Sequence, residues 1–129
     1  SRSRRQRQMC IRDSLIVYPG AELPVIQAIK LGAPGCISAT ANLNGGDISK
    51  VINFCHDNEW EKAEDLHKKV TKVRLLFQDY APIPAQKGLL AKKTKISEWL
   101  NVRPPLKSIN NDKVSELANT LNNEFGYSY

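Results

Sequence analysis

Gly32-Ala33-Pro34-Gly35-Cys36-Ile37-Ser38-Ala39-Thr40-Ala41-Asn42 is the stretch on which the fold turns. Within it, Gly35–Thr40 is a short run of small and β-branched residues. Pro34 precedes that run, and the turn-forming Asn42-Leu43-Asn44-Gly45-Gly46 follows it. Short apolar runs with this punctuation read as strands covered on both faces, as in a parallel sheet. Upstream, Leu15-Ile16-Val17-Tyr18 is a second run of the same kind, ended by Pro19-Gly20. Between the two lies a helix pattern, with Pro24 in the first turn, Val25, Ile26 and Ile29 on one face, Lys30 late and Gly32 as the stop. Downstream, Ile48, Val51, Ile52 and Cys55 recur at helical spacing.

A β-α-β-α order requires a right-handed crossover and a parallel sheet. Two strands cannot cover both faces of such a sheet or satisfy its edges. The expectation is that residues 15–57 are two β/α units of something larger. From Glu59 the pattern becomes helical throughout. Trp60, Ala63, Leu66, Val70, Val73, Phe77 and Tyr80 form a long amphipathic stripe, read as a packing face. Pro82 and Pro84 end it and open a helix through Leu89-Leu90, and a loop follows around Trp99–Leu106. A last helix has Asn110 or Asn111 as cap, Val114, Leu117, Leu121 and Phe125 inward and Gly126 as stop. The expected organisation is therefore 1–14, 15–57 and 58–129.

The 129 residues are 41% hydrophobic and 25% charged, an ordinary globular balance. No apolar run reaches the roughly 20 residues of a membrane span. The start lacks the apolar core of a secretory leader. Cys10, Cys36 and Cys55 form no CxxC pair, which suits a reducing, cytoplasmic setting. The net charge of +6 is concentrated in residues 1–14, where five arginines face one aspartate, so that +2 remains for the rest. That first stretch, SRSRRQRQMCIRDS, has no apolar periodicity. Its Met9–Asp13 resembles the translation of ATG-TGT-ATA-AGA-GAC, a sequencing-adapter end, so residues 1–14 are expected to be non-native or a disordered basic tail.

His56 and His67 have no third ligand at suitable spacing, and no metal or other cofactor is expected. The lysines of 62–95 alternate with acids and read as a solvated helix face. The two strand ends matter more, because catalytic groups of parallel α/β proteins gather at the carboxyl ends of strands. There Glu22 is placed to orient a hydroxyl or a water, or to serve simply as a first-turn helix residue. The Asn42–Gly46 loop offers either an anion cradle or an ordinary βα turn, and the turn is the better reading.

Gly32–Asn42 resembles the eighth-strand segment of the dihydrodipicolinate synthase/N-acetylneuraminate lyase family. Asn58–Ala63, Ile83–Lys87 and Val102–Leu106 resemble three further segments of that family, in the same order and at fitting distances. The resemblance covers about residues 15–126. It implies an α/β fold, the C-terminal quarter of a (β/α)8 TIM barrel with strands seven and eight, followed by three helices. It also implies a Schiff base between a lysine and pyruvate or another 2-oxo acid, and a homodimer or homotetramer at full length. The family's lysine stands on strand six, and no lysine here matches it, so no catalytic residue is assigned. Carried over as substrate-binding are Ile37, through backbone and side chain, Gly20, through backbone, and Glu22, facing the second substrate. Ala39 stands where sialic-acid lyases have a serine, which argues against that activity. The rival reading is a small basic helical protein that binds nucleic acid. The +2 left after residue 14 is too small for a broad phosphate footprint. A non-catalytic module of C-terminal helices would need a boundary near residue 57, against which the preceding strands argue.

Overall fold

A computed structural model of the chain describes residues 15–129, so the expectations for 1–14 fall outside the described residues. Among the described residues five α-helices are formed: α1 Val25–Lys30, α2 Ala41–His56, α3 Trp60–Leu76, α4 Pro82–Thr94 and α5 Asn111–Phe125. Single 3-10 turns occupy Phe77–Asp79 and Ser97–Leu100. Two compact units divide within α3, one ending at Val70 and the other spanning Thr71–Tyr129. The sequence pattern changes earlier, at 57/58. The helix that starts there gives its first turns, through buried Ala63 and Val70, to the core of the first unit.

The two expected strands are not formed among the described residues. Among these residues the one backbone bond between the two regions comes just after the first run, where the Ile37 N–H donates to the Pro19 carbonyl at 3.0 Å. A parallel ladder needs a regular succession of such bonds. The apolar side chains that a closed sheet would cover stay open: Leu15, Ile16 and Ile37 are exposed, Ile16 by 77%. The helices pack below these segments. Val25 and Ile26 of α1 meet Ile48, Val51 and Cys55 of α2 and Ala63 and Val70 of α3. The expected Asn42–Gly46 loop is instead taken into α2, which begins at Ala41 and breaks at Asn44 (φ −118°, ψ 30°).

In the second unit α4 is the hub. Its Pro84, Ala85, Leu89 and Ala91 are buried, as are Val114, Leu117, Ala118 and Leu121 of α5. Pro82 opens α4, where a missing N–H costs nothing. Asn110 caps α5, its side-chain oxygen accepting from the amides of Asp112 (2.8 Å) and Lys113 (3.1 Å). Gly126 ends α5 in the left-handed region at φ 73°. Beyond it, Asn122 bonds both backbone groups of Tyr129, at 2.8 and 2.9 Å.

Gly88 allows α4 to approach its neighbours. A Cβ there would lie 2.6 Å from Ile109 Cγ2 and 2.8 Å from Val114 Cγ2. Both are methyl groups of stiff β-branched side chains. Gly88→Ala should therefore destabilise the second unit by roughly 1–3 kcal/mol despite alanine's better helix propensity. Urea unfolding followed at Trp99, with Trp60 replaced by Phe, should show a lower midpoint; an unchanged or higher midpoint would show that the methyl groups yield freely.

Candidate functional site

Residue 22 is where the first unit converges. Glu22 follows the turn after Tyr18-Pro19-Gly20 and is completely buried. Its carboxyl oxygens accept from two hydroxyls, Oε2 from Ser38 Oγ and Oε1 from Thr40 Oγ1. The two hydroxyl oxygens are themselves 3.0 Å apart. The backbone carbonyl of Glu22 accepts from the Val25 amide at 3.2 Å and lies 2.9 Å from His67 Nε2 on α3. Because a carbonyl can only accept, His67 carries its proton on Nε2. Thr40 is buried and Ser38 half-buried, so the carboxyl group sits among hydroxyls and away from water.

The same contacts set which way the neighbouring side chains point. Ser38 and Thr40 both turn to the carboxyl group, although Thr40 has already left the extended backbone for the turn that opens α2 (φ −66°, ψ −15°). Ile37 and Ala39 beside them are both exposed, Ile37 by 70%. Gly20 is exposed as well, and a Cβ placed on it would meet nothing within 4 Å. With Tyr18, Pro24 and Leu31 it lines a cavity of about 410 Å³. Of the three residues carried over from the resemblance, Ile37 and Gly20 are thus open. Glu22 is enclosed, with both of its oxygens engaged.

Sequence reasoning missed Ser38, Thr40 and His67. The alternation of two hydroxyls at a strand end was the available signal for the first pair. His67 lies 45 residues from its partner, with no local pattern to announce it. His56, the other histidine, has its Nε2 2.9 Å from the Pro34 carbonyl. Among the described residues no group of three histidines, cysteines or acids is arranged to hold a metal. Nor is any helix among them long and apolar enough to cross a membrane.

A sequence profile of the Dihydrodipicolinate synthetase family matches residues 2–124. The chain belongs to this family. The match begins inside the basic stretch 1–14 and runs almost to the end of α5. The 4-hydroxy-tetrahydrodipicolinate synthase of Thermodesulfovibrio yellowstonii is 31% identical over 84% of this chain and 37% of its own length. That of Methanosarcina mazei is 29% identical over the same shares. The chain thus spans little more than a third of the relatives it matches. Among solved structures, a monomeric dihydrodipicolinate synthase variant superposes with a TM-score of 0.72 at 22% identity, over 88% of this chain and 37% of that one. N-acetylneuraminate lyase from Mycoplasma synoviae superposes with a TM-score of 0.80 at 15% identity, over 95% and 41%. The path of the chain is therefore a portion of the synthase/lyase fold, even though no strand ladder is formed among its described residues.

Cys36 reports on the site from one side. Burial pushes its thiol above the usual range, and the negative charge of Glu22 pushes it further in the same direction. Cys55 is also raised by burial, but Lys30 works against that rise. Glu22→Gln removes the second cause at Cys36, so the midpoint of its pH-dependent alkylation should fall. That of Cys55 should stay where it is. Peptide mapping after timed iodoacetamide labelling would read both; an unmoved Cys36 midpoint would place the Glu22 charge too far away to matter.

Proposed function

We propose that this chain is the C-terminal part of a 2-oxo-acid-dependent lyase, an aldolase or a synthase such as 4-hydroxy-tetrahydrodipicolinate synthase. Its small-molecule substrate is pyruvate or a related 2-oxo acid. The reaction runs through a Schiff base in which a lysine amine condenses with the keto carbon. The protonated imine then accepts the electron pair when a bond at the neighbouring carbon breaks, and the enamine so formed returns the pair when a bond there is made. The observation that carries this reading is the family match across residues 2–124.

On this reading residues 15–57 are the seventh and eighth β/α units of a TIM barrel and residues 58–129 its C-terminal helical region. The full-length protein is a homodimer or homotetramer. Ile37 offers backbone and side chain to the pyruvate unit. Gly20, open on its Cα side, lets backbone approach the substrate. Glu22 stands at the same end of the unit, but its carboxyl group is enclosed by Ser38 and Thr40 and does not face the second substrate. The Schiff-base lysine belongs to strand six and is none of the lysines in this sequence. That is the reason for expecting no lyase activity from these residues alone.

Borohydride reduction in the presence of pyruvate tests the assignment. The chain as it stands should gain no stoichiometric mass. A longer protein carrying the strand-six lysine should gain one pyruvate unit per subunit, mapped outside the present sequence. A stoichiometric adduct on a lysine of this chain would overturn the lysine assignment, and no adduct on the longer protein would overturn the Schiff-base reading.

A further inference from the structure

Glu22 is the one acidic side chain that is completely buried among the described residues, and it meets the chain at three places. Its side chain holds Ser38 and Thr40, and its carbonyl is within hydrogen-bond distance of His67. A side chain enclosed in this way has no free face for a ligand. What it controls is the segment it grips. Ser38 and Thr40 are turned inward to the carboxyl group, while Ile37 and Ala39 beside them are exposed. The Ile37 amide is at the same time fixed to the Pro19 carbonyl at 3.0 Å. The two segments that should be neighbouring strands have no ladder between them to fix their register. The carboxyl group takes over that task.

The geometry points to Glu22 as a positioning residue rather than a substrate contact: through Ser38 and Thr40 it sets the register of segment 35–40 against 15–20 and so aims Ile37 and Ala39 at the substrate. This rests on the proposed lyase reading for the identity of the ligand, but the latch itself is a property of the present chain. Hydrogen bonding, not volume, is what the latch requires. Two hydroxyls can rotate to suit a carboxamide, which offers an acceptor and a donor where the carboxyl group offers two acceptors. A thioether of similar length offers neither strong acceptor nor donor.

Glu22→Gln and Glu22→Met therefore separate the two explanations when amide hydrogen exchange is measured on the whole chain without substrate. In Glu22→Met the Ile37 amide should exchange about ten-fold faster or more, while Val51 and Leu66 keep their protection. In Glu22→Gln the Ile37 rate should stay within about three-fold of the parent, the rescue that a hydrogen-bonding role demands. Equal protection of Ile37 in the Met variant, or equal loss in the Gln and Met variants, would overturn the latch. If Met loosens the whole unit, so that Val51 and Leu66 exchange faster too, Thr40→Val against Thr40→Ser decides. Valine keeps the shape and loses the hydroxyl, so it should free Ile37 where serine does not; equal behaviour of the two would overturn the proposal. Since no substrate enters these measurements, the latch can fail while the lyase reading stands. The borohydride result can likewise fail while the latch holds.

Discussion

A carboxyl group taken out of water costs several kcal/mol unless hydrogen bonds replace its hydration. At Glu22 the replacement comes from Ser38 and Thr40, and bonds of this kind to a charged partner contribute about 1.5–3 kcal/mol each. The arrangement is conditional. It holds only if segment 35–40 lies alongside the turn at 19–22 with its hydroxyls facing in. The fold of the first unit and the aim of Ile37 are therefore one constraint seen from two sides. Below it, α1, α2 and the first turns of α3 supply the apolar contacts, with Val25 and Val51 fully buried. The core keeps the unit together and the carboxyl group keeps its upper end in register.

The second unit rests on different physics. Its helices close on one another through α4, whose Gly88 permits contact with Ile109 and Val114 that any side chain would prevent. Capping by Asn110 and the left-handed stop at Gly126 fix the ends of α5, and Lys92 and Asn122 hold the backbone of Tyr129. No element of this unit needs a strand partner. The most exposed apolar side chains, Leu15, Ile16 and Ile37, belong to the first unit, although Ile83 and Ile96 of the second are open as well.

The helices were legible because their signals are local. Periodicity placed a stripe from Trp60 to Tyr80, of which the α-helix takes the part to Leu76, and of the two candidate caps Asn110 opens α5 while Gly126 ends it. The strands were read from composition, which registers what a segment suits, whereas a ladder depends on neighbours that composition cannot supply. Ile37 and Gly20 were singled out through family resemblance, and both are exposed. Glu22 was singled out at a strand end, but its partners Ser38 and Thr40 lie 16 and 18 residues away and were not. His67 lies farther still. Contacts at that separation are set by packing, and no short pattern encodes them.

The coupling between Glu22 and Thr40 tests the central constraint most directly. A double-mutant cycle of Glu22→Met with Thr40→Val, read from urea unfolding of the first unit at Trp60 with Trp99 replaced by Phe, isolates their interaction from the separate costs of each change. A coupling energy of about 1–3 kcal/mol is expected if the carboxyl–hydroxyl bond holds the two segments in register. Additivity of the two substitutions would contradict it and leave the Ile37–Pro19 backbone bond and the apolar contacts of α1, α2 and α3 to hold the segments together.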